Sequence, residues 1–309
     1  MSMTPPVTGT RDIAHLGWVG LGVMGEPMAH NLLARSGLPV TAFDLEAEPL
    51  ARFGDAGGAV ADDLDSLAAG VDLLFLSLPG GPQLEAVAGA VLPVLPDGAI
   101  VVDTTTAPVP LTRQLAARAA ERGTAWADAP IARTRQAARE GTLAVMVGAE
   151  DSVFERVKPL IACYASDIAH CGGIGTGQIA KLMNNMVLLQ NVVALAEALT
   201  IARRHGMDGK VLFETLATGS GASFALGAHG MKAMLPGVFP KRAFSSEYML
   251  KDLSYALELA REAGLAPAGA ETAGRLLQAA IDKGYGEAYW PVLLTVVDDT
   301  LLPEMPEAG

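Results

Sequence analysis

Three glycines near the beginning of the chain have the spacing of a loop that binds phosphate. In the stretch HLGWVGLGVMGEPMAHNLL, Gly20, Gly22 and Gly25 form a G-x-G-x-x-G pattern between an apolar run and a helix-like segment. The first glycine allows a tight turn, the second lets a pyrophosphate approach the backbone, and the third lets the helix pack closely on the strand. Amide groups at the N-terminus of such a helix attract phosphate. The loop, which includes Val23 and Met24, is therefore predicted to bind a dinucleotide.

A carboxylate follows at a distance that suits recognition of a ribose. Asp44 ends the apolar run VTAFD, 19 residues after Gly25. An acidic residue about 20 residues beyond such a motif can hold the adenosine ribose hydroxyls. The same charge repels a 2′-phosphate, and no Arg or Lys follows until Arg52, so NAD is favoured over NADP. A turn residue without a ligand is the alternative interpretation of Asp44.

A second group of polar side chains lies one turn into the apolar segment QIAKLMNNMVLLQNVVALAEALTIARRHG. Oxidation of an alcohol by a nicotinamide requires hydride transfer from carbon and removal of a proton from oxygen, so one side chain must act as acid and base. Lys181 is the leading candidate, because a lysine partly desolvated beside a cofactor can do this near neutral pH. Asn184 and Asn185 follow three and four positions later, so one helical face can present amine and amide together. Ordinary polar surface is the alternative.

The elements that must position these residues follow from the apolar runs. From about residue 14 to 173, short apolar runs alternate with helix-like segments, as is typical of a parallel sheet covered on both faces. After GGIGTG, apolar residues recur at helical spacing, first without a break for about 28 residues. We therefore predict an α/β fold with a Rossmann-like, doubly wound domain over 13–174 and an all-α domain over 175–309, joined by a long helix. Residues 1–12 are predicted to be disordered.

The composition excludes several classes of partner. The chain has 309 residues, of which 22 are Lys or Arg and 34 are Asp or Glu, so its net charge at pH 7 is −12. Nucleic acids and anionic membrane surfaces require a basic footprint, and no apolar run reaches the roughly 18 residues of a membrane-spanning helix. Cys163 and Cys171 form no C-x-x-C pattern, so no metal site is predicted. Without an export signal, the chain is expected in the cytoplasm.

Several motifs together resemble the β-hydroxyacid dehydrogenase family of the 6-phosphogluconate dehydrogenase superfamily. They extend from about Ile13 to Ala260 in the family's order: GLGVMGEPMAHNL, SLP, DTTTAPVP, the loop after DAP, GTLAVMVGA, GTGQIAKLMNN and KDLSYALELA. The resemblance implies NAD-dependent interconversion of a small 3-hydroxyacid and its semialdehyde or ketone, as in 3-hydroxyisobutyrate dehydrogenase. It implies Lys181 as the general acid and base and Asn185 as a residue that orients substrate or lysine. It also implies a homodimer or homotetramer.

The resemblance also implies binding roles for five other residues. It places Leu78, Pro79 and Thr106 against the cofactor. It places Lys251 near the nicotinamide end of the cofactor, and Phe224 in a wall of the substrate site. A turn-forming proline, a capping threonine, a surface lysine and a core aromatic ring are the corresponding alternatives.

One loop departs from the family's pattern. After DAP the family has approximately V-S-G-G, whose Ser and Gly backbone groups hold a substrate carboxylate, whereas Ala132, Arg133 and Thr134 stand here in place of serine and glycines. An arginine can bind an anion in a bidentate manner, so Arg133 is a candidate for binding the substrate's anion. Alternatively, it begins a charged helical face with Arg135 and Arg139. If Arg133 binds substrate, the accepted acid is bulkier or doubly charged.

Other functions stay open at this stage. A reductase of tartronate or succinic semialdehyde is an alternative within the family. An imine reductase shares this architecture but commonly has Asp or Tyr at the position of Lys181, and a 6-phosphogluconate dehydrogenase needs more than the 135 residues after Ile174. A non-catalytic nucleotide-binding scaffold is the alternative of another class, but such relatives tend to lose the lysine and gain a basic module.

Overall fold

The computed structural model describes residues 12–241 and 243–307. The segment 1–12, predicted to be disordered, lies outside the described residues except for Asp12. The chain divides into two compact units between Lys181 and Leu182. This division falls inside a long helix, and the domain boundary at residue 174 stays a prediction.

The first unit is built on one nine-stranded sheet. Its strands are β1 (Leu16–Val19), β2 (Val40–Phe43), β3 (Ala59–Val60), β4 (Leu73–Leu76), β5 (Ile100–Asp103), β6 (Ala125–Asp128), β7 (Ile131–Ala132), β8 (Leu143–Gly148) and β9 (Ala165–Gly172). The order across the sheet is β3-β2-β1-β4-β5-β6-β8-β7, and β9 pairs with β8. Strands β1 to β6 pair in parallel, whereas β8 runs antiparallel to β6 and β7.

Helices cover both faces of this sheet. They are α1 (Gly25–Arg35), α2 (Ala47–Asp55), α3 (Leu64–Ala69), α4 (Gly81–Val91), α5 (Val109–Ala120), α6 (Arg135–Glu140) and α7 (Asp151–Ile161). Every residue of β4 is buried, with Leu73 and Phe75 in one apolar cluster and Leu74 and Leu76 in another. Alternate side chains of a strand point to opposite faces, so both faces are packed. The predicted Rossmann-like fold is confirmed.

The second unit is helical. Its elements are α8 (Thr176–Arg204), which begins in the first unit, α9 (Gly209–Ala217), a π-helix (Leu226–Met234), α10 (Ser246–Glu262), α11 (Ala268–Ala280), a π-helix (Ile281–Tyr285), a 3-10 helix (Trp290–Leu293) and α12 (Leu294–Val297). In the described residues its β-pairing is limited to isolated bridges, such as that of Val238 with Glu304. The core includes Phe213, Met249 and Trp290. The predicted all-α architecture is confirmed.

The predicted long helix is α8, which has 29 residues. Arg203 and Arg204 occupy its last turn, where cations suit the helix dipole. Gly206 follows with a φ of +80°, which ends the helix. An 18-residue window of α8 has a mean hydropathy of 1.5 and is 44% buried. By length and mean hydropathy α8 is therefore comparable to a membrane-spanning helix, although its apolar residues form no unbroken run of 18, and the core helices of globular proteins have the same properties.

Candidate active site

The glycine loop has the geometry that its motif predicts. Gly20 has a φ of +96°, and a Cβ built on it would lie 2.1 Å from the carbonyl oxygen of Ser77. A Cβ on Gly25 would lie 2.0 Å from the carbonyl oxygen of Gly20, so neither position tolerates a side chain. A Cβ on Gly22, in contrast, would meet no atom within 4 Å. The open space above Gly22, next to the N-cap residue Met24, fits the approach of a pyrophosphate to the backbone.

Asp44 is fixed against the glycine loop. It follows the end of β2, and its two carboxylate oxygens accept the N–H groups of Leu21, at 2.5 Å, and Glu46, at 2.9 Å. Arg52, the first cation after Asp44, donates two hydrogen bonds to Glu26, at 2.5 and 2.9 Å. The carboxylate is therefore held at the strand end where a ribose would bind, and the nearest following cation is already engaged.

The other predicted cofactor residues of the first unit follow neighbouring strands. Leu78 and Pro79 come after β4, and Thr106 comes after β5. The N–H of Leu78 donates to the hydroxyl of Thr105 at 3.1 Å, which joins the two loops. Because β2, β1, β4 and β5 are adjacent and parallel, the loops at their carboxyl ends share one edge of the sheet, as in dinucleotide-binding folds. Val23, in the glycine loop at that edge, is exposed.

The start of α8 is fastened to the same edge by a buried carboxylate. Asp128 is the last residue of β6, and it accepts the backbone N–H groups of Gly175, at 2.6 Å, and Gln178, at 2.9 Å. Burial raises the pKa of Asp128 to about 6, although these hydrogen bonds favour its ionised form. A Cβ on Gly177 would lie 2.4 Å from the carbonyl oxygen of Met146. The first turn of α8 therefore sits directly on the strand ends.

The side chain of Gln178 extends this attachment to the loop after β5. Its amide nitrogen donates to the carbonyl oxygen of Thr105 at 2.7 Å, and its amide oxygen accepts the N–H of Ala107 at 3.2 Å. Lys181, three residues further along the helix, is only 9% exposed. The lysine is thus carried by a helical turn that is bonded to a predicted cofactor loop.

A second buried carboxylate lies beside Asp128. Asp103 ends β5 and is the register partner of Asp128 on β6. One of its oxygens accepts the N–H of Thr105 at 2.9 Å, and the other finds no hydrogen-bond partner among the described residues. Burial, with a smaller contribution from the charge of Asp128, raises the pKa of Asp103 to about 7. Near neutral pH, this pair therefore carries fewer than two full charges.

A polar network in the second unit connects two further predicted site residues. The amide nitrogen of Asn185 donates to the carboxylate of Asp252 at 2.7 Å, and the ammonium of Lys251 lies 3.2 Å from the other oxygen of that carboxylate. The same ammonium lies over the rings of Tyr248 and Tyr255, 4.9 and 5.6 Å from their centres. Asp252 is buried, so it fixes the orientation of the Asn185 amide and the direction of Lys251.

Phe224 is exposed beside a buried histidine. Its side chain is 63% exposed, so core packing does not account for it, and its ring centre lies 6.1 Å from that of His229. In His229, Nδ1 is hydrogen-bonded to the hydroxyl of Tyr289 at 2.5 Å, whereas Nε2 is buried without a partner among the described residues. Burial lowers the pKa of His229 to about 4, so the ring is neutral at pH 7.

The loop that departs from the family's pattern is a tight turn between β7 and α6. Ala132 is paired with Ala144 across the sheet, and the hydroxyl of Thr134 caps α6 by accepting the N–H of Ala137. Helix α6 begins at Arg135, so Arg133 lies outside it. The guanidinium of Arg133 forms an ion pair of 2.8 Å with Asp167.

Comparison with known proteins identifies both parts of the chain. Residues 15–173 match the family described as the NAD binding domain of 6-phosphogluconate dehydrogenase. Residues 175–290 match the family described as NAD-binding of NADP-dependent 3-hydroxyisobutyrate dehydrogenase. The chain belongs to the β-hydroxyacid dehydrogenase family.

Individual relatives agree with this assignment. The 2-(hydroxymethyl)glutarate dehydrogenase of Eubacterium barkeri is 36% identical over 250 residues, which are 80% of this chain and 82% of the relative. The NAD-dependent L-serine dehydrogenase of Pseudomonas aeruginosa is 30% identical over 92% of this chain and 98% of its own. A solved structure of Mycobacterium tuberculosis 3-hydroxyisobutyrate dehydrogenase with L-serine has a TM-score of 0.83 and 27% identity, covering 93% and 99% of the two chains.

The predicted enzyme class is confirmed: the chain is an NAD(P)-dependent β-hydroxyacid dehydrogenase. In this dehydrogenase the structure brings the glycine loop, Asp44 and the loops after β4 and β5 to one sheet edge, and it carries Asn185 one turn beyond Lys181 on α8. Lys251 and Phe224 lie in the second unit. No sequence pattern singled out the buried groups of Asp103, Asp128 and His229. The nearest signal was the position of both aspartates at the ends of apolar runs.

Proposed function

We propose that this dehydrogenase interconverts a small 3-hydroxyacid and its semialdehyde or ketone with NAD, as 3-hydroxyisobutyrate dehydrogenase does, and that Lys181 is its general acid and base. The observation that carries the proposal is the position of Lys181. It is nearly buried, and Asp128 and Gln178 bond its helix to the strand ends beside a predicted cofactor loop. A bound nicotinamide supplies the acceptor or donor of the hydride.

The protein's own part in the reaction is to hold the hydroxyacid and to move one proton. In the oxidation, the neutral amine of Lys181 takes the proton of the hydroxyl while the carbon that bears this hydroxyl gives up its hydride. In the reverse reaction this carbon regains a hydride, and the ammonium of Lys181 returns the proton to the carbonyl oxygen. Asn185, one turn later on the same helix, orients the substrate oxygen or the amine. Asp252 supports this role because it accepts a hydrogen bond from the Asn185 amide. We assign Lys251 to the nicotinamide end of the cofactor.

NAD is proposed as the preferred cofactor because of Asp44. Its carboxylate is held at the end of β2 by the N–H groups of Leu21 and Glu46, where it would repel a 2′-phosphate. Replacing Asp44 by alanine is expected to raise the ratio of kcat/KM for NADP to kcat/KM for NAD by about tenfold. Asp62→Ala, which removes an exposed acid elsewhere in the unit, serves as the control. An unchanged ratio in Asp44→Ala would contradict the assignment.

We assign the substrate's carboxylate to the loop Ala132–Thr134. Phe224, in the second unit, is proposed as an apolar contact for ligand. The exposure of the Phe224 ring supports a contact with ligand. A homodimer or homotetramer is proposed as well, and the side chains of Val187 and Ile201 on α8, 53% and 60% exposed, support it as apolar surface that a second subunit would cover. Light scattering of the purified enzyme measures the assembly directly.

A panel of hydroxyacids tests the proposed reaction. NADH formation is followed at 340 nm with 3-hydroxyisobutyrate, L-serine and 2-(hydroxymethyl)glutarate, in the wild type, in Lys181→Ala and in the control Lys210→Ala, whose lysine is exposed. We expect turnover with at least one acid, its loss in Lys181→Ala and its retention in Lys210→Ala. Unchanged kcat in Lys181→Ala would overturn the role of the lysine. Absence of turnover with every acid would overturn the proposed reaction.

A further inference from the structure

Arg133 has a backbone conformation that arginine rarely adopts. Its φ is +90°, and in the described part of the chain it is the only residue other than glycine with a positive φ. In this region Cβ crowds the backbone, so glycine is favoured and other residues are strained. The pattern V-S-G-G, to which the loop was compared, has glycine at this position. The loop thus keeps a conformation natural for glycine although it carries an arginine.

The guanidinium of Arg133 is engaged within the first unit. One nitrogen donates to the carbonyl oxygen of Thr142 at 2.6 Å and to the hydroxyl of Ser166 at 2.9 Å, and another lies 2.8 Å from a carboxylate oxygen of Asp167. The Ser166 hydroxyl donates to the same carboxylate at 2.7 Å. These hydrogen bonds hold the pKa of Asp167 below its usual range, so the ion pair is charged at neutral pH.

These contacts tie three strands together at one point. Arg133 directly follows β7, Thr142 directly precedes β8, and Ser166 and Asp167 belong to β9. The Arg133 side chain therefore connects the strained turn after β7 to the beginning of β8 and to β9. A residue whose backbone is strained persists only where its surroundings hold it there.

We propose that Arg133 is a positioning residue that does not bind the substrate's anion: through Thr142 and Asp167 it holds the loop Ala132–Thr134 in the left-handed conformation that glycine adopts unaided. The inference rests on the proposed function, which assigns the substrate carboxylate to this loop. Its consequence for specificity is that the loop offers the substrate no side-chain cation at Arg133, because Asp167 already holds the guanidinium.

If Arg133 bound the substrate's anion directly, substitutions of Arg133 and Asp167 would have different effects. To bind an anion, the guanidinium would have to leave Asp167. Removal of Asp167 would then make the guanidinium available to the substrate and lower KM. An exposed ion pair contributes little free energy, so a substrate's anion could compete with Asp167 for the guanidinium, and the variants below distinguish the two cases. The glycine variant separates the two roles, because it removes the guanidinium and the backbone strain together.

The experiment compares Arg133→Gly, Arg133→Ala and Asp167→Ala with the control Arg139→Ala, which removes an exposed charge from α6. KM is measured with 3-hydroxyisobutyrate and with 2-(hydroxymethyl)glutarate, and thermal unfolding is recorded without substrate. We expect Arg133→Gly to keep KM within about twofold of the wild type, and Arg133→Ala and Asp167→Ala each to raise it about tenfold. Arg133→Gly should also melt at a higher temperature than Arg133→Ala.

Two results would overturn the inference. One is an equal rise of KM in Arg133→Gly and Arg133→Ala, which indicates direct binding by the guanidinium. The other is a lower KM for 2-(hydroxymethyl)glutarate in Asp167→Ala. Failure of the proposed function would give a different result, namely no turnover by the wild type with any of the acids. In that case the melting temperatures of Arg133→Gly and Arg133→Ala still test whether Arg133 holds the loop.

Discussion

Replacement of Asp128 by asparagine is expected to slow turnover without unfolding the protein. The two oxygens of the carboxylate accept the backbone N–H groups of Gly175 and Gln178. Asparagine has nearly the same shape but supplies only one acceptor oxygen, so its NH₂ group would face one of these N–H groups. The first turn of α8 must then move away from the end of β6.

Two opposing effects keep the change in the free energy of unfolding small. A buried N–H group left without a partner costs about 1–3 kcal/mol. Burial raises the pKa of Asp128 to about 6, so at pH 7 its ionised form costs the fold about 3 kcal/mol relative to the protonated form. Asparagine is neutral and escapes that cost. We therefore expect the free energy of unfolding to change by no more than about 2 kcal/mol in either direction.

Turnover should respond much more strongly than stability. Lys181 follows Gln178 by three residues on α8, so a shift of the first turn displaces the amine. A misplacement of about 1 Å at a reacting group can reduce the rate by about a hundredfold. The expected fall in kcat of Asp128→Asn is therefore between about ten- and a hundredfold. KM for NAD should change little, because the glycine loop and Asp44 are untouched.

Asp72→Asn is the control for removal of a buried carboxylate from the same unit. Asp72 is also buried and accepts two backbone N–H groups, those of Ala14 and His15, both at 2.9 Å, but it does so with a single oxygen, so the one carbonyl oxygen of asparagine can keep both bonds. It precedes β4, however, so it lies at the edge of the sheet opposite to α8. Steady-state assays at 340 nm and thermal unfolding are measured for both variants. A wild-type kcat in Asp128→Asn, or an equal loss of kcat in Asp72→Asn, would refute the positioning role of Asp128.

Two other buried carboxylates lead to further predictions. Burial, reinforced by the charge of Asp128, raises the pKa of Asp103 to about 7, so its contribution to stability is full below about pH 4 and is lost as the pH rises to about 7. Asp103→Asn should reduce the pH dependence of the melting temperature between these pH values to the part that Asp128 contributes, and an unchanged pH dependence would exclude this assignment. Asp252→Ala removes the acceptor of Asn185 and the counter-charge of Lys251, so kcat/KM should fall at least about tenfold. Retention of kcat/KM would show that the network does not position these groups.

The architecture could be predicted because apolar residues carry its signal locally. The run VTAFD contains β2, the run GTLAVMVGA contains β8, and the long apolar segment that begins QIAKLMNN lies in one helix, α8. The glycine motif was also predictable, because its spacing along the chain is enough to identify it, although the atom that excludes a side chain at Gly20 belongs to Ser77, in the loop after β4. A single sequence is enough to show this periodicity, because each helix or strand has its own apolar residues that pack against the core.

The hydrogen bonds and ion pairs that hold the site residues in place could not be predicted, because they join residues far apart in the chain. Asp128 bonds an N–H group 47 positions later, and Gln178 reaches back 73 positions to Thr105. The left-handed turn at Arg133 is held by Asp167, which belongs to another strand. Such contacts depend on strand order and register, and neither is encoded in local spacing.

Single-turnover hydride transfer in Lys181→Ala tests the role of the lysine most directly. NAD binding, measured separately by titration, should stay at the wild-type level, since the cofactor loops are unchanged. The rate of the first NADH formed should fall by about a hundred- to ten-thousandfold and should recover in part when a small primary amine is added. A rate within tenfold of the wild type, or a loss that no added amine restores together with a loss of NAD binding, would contradict Lys181 as the proton-transfer group.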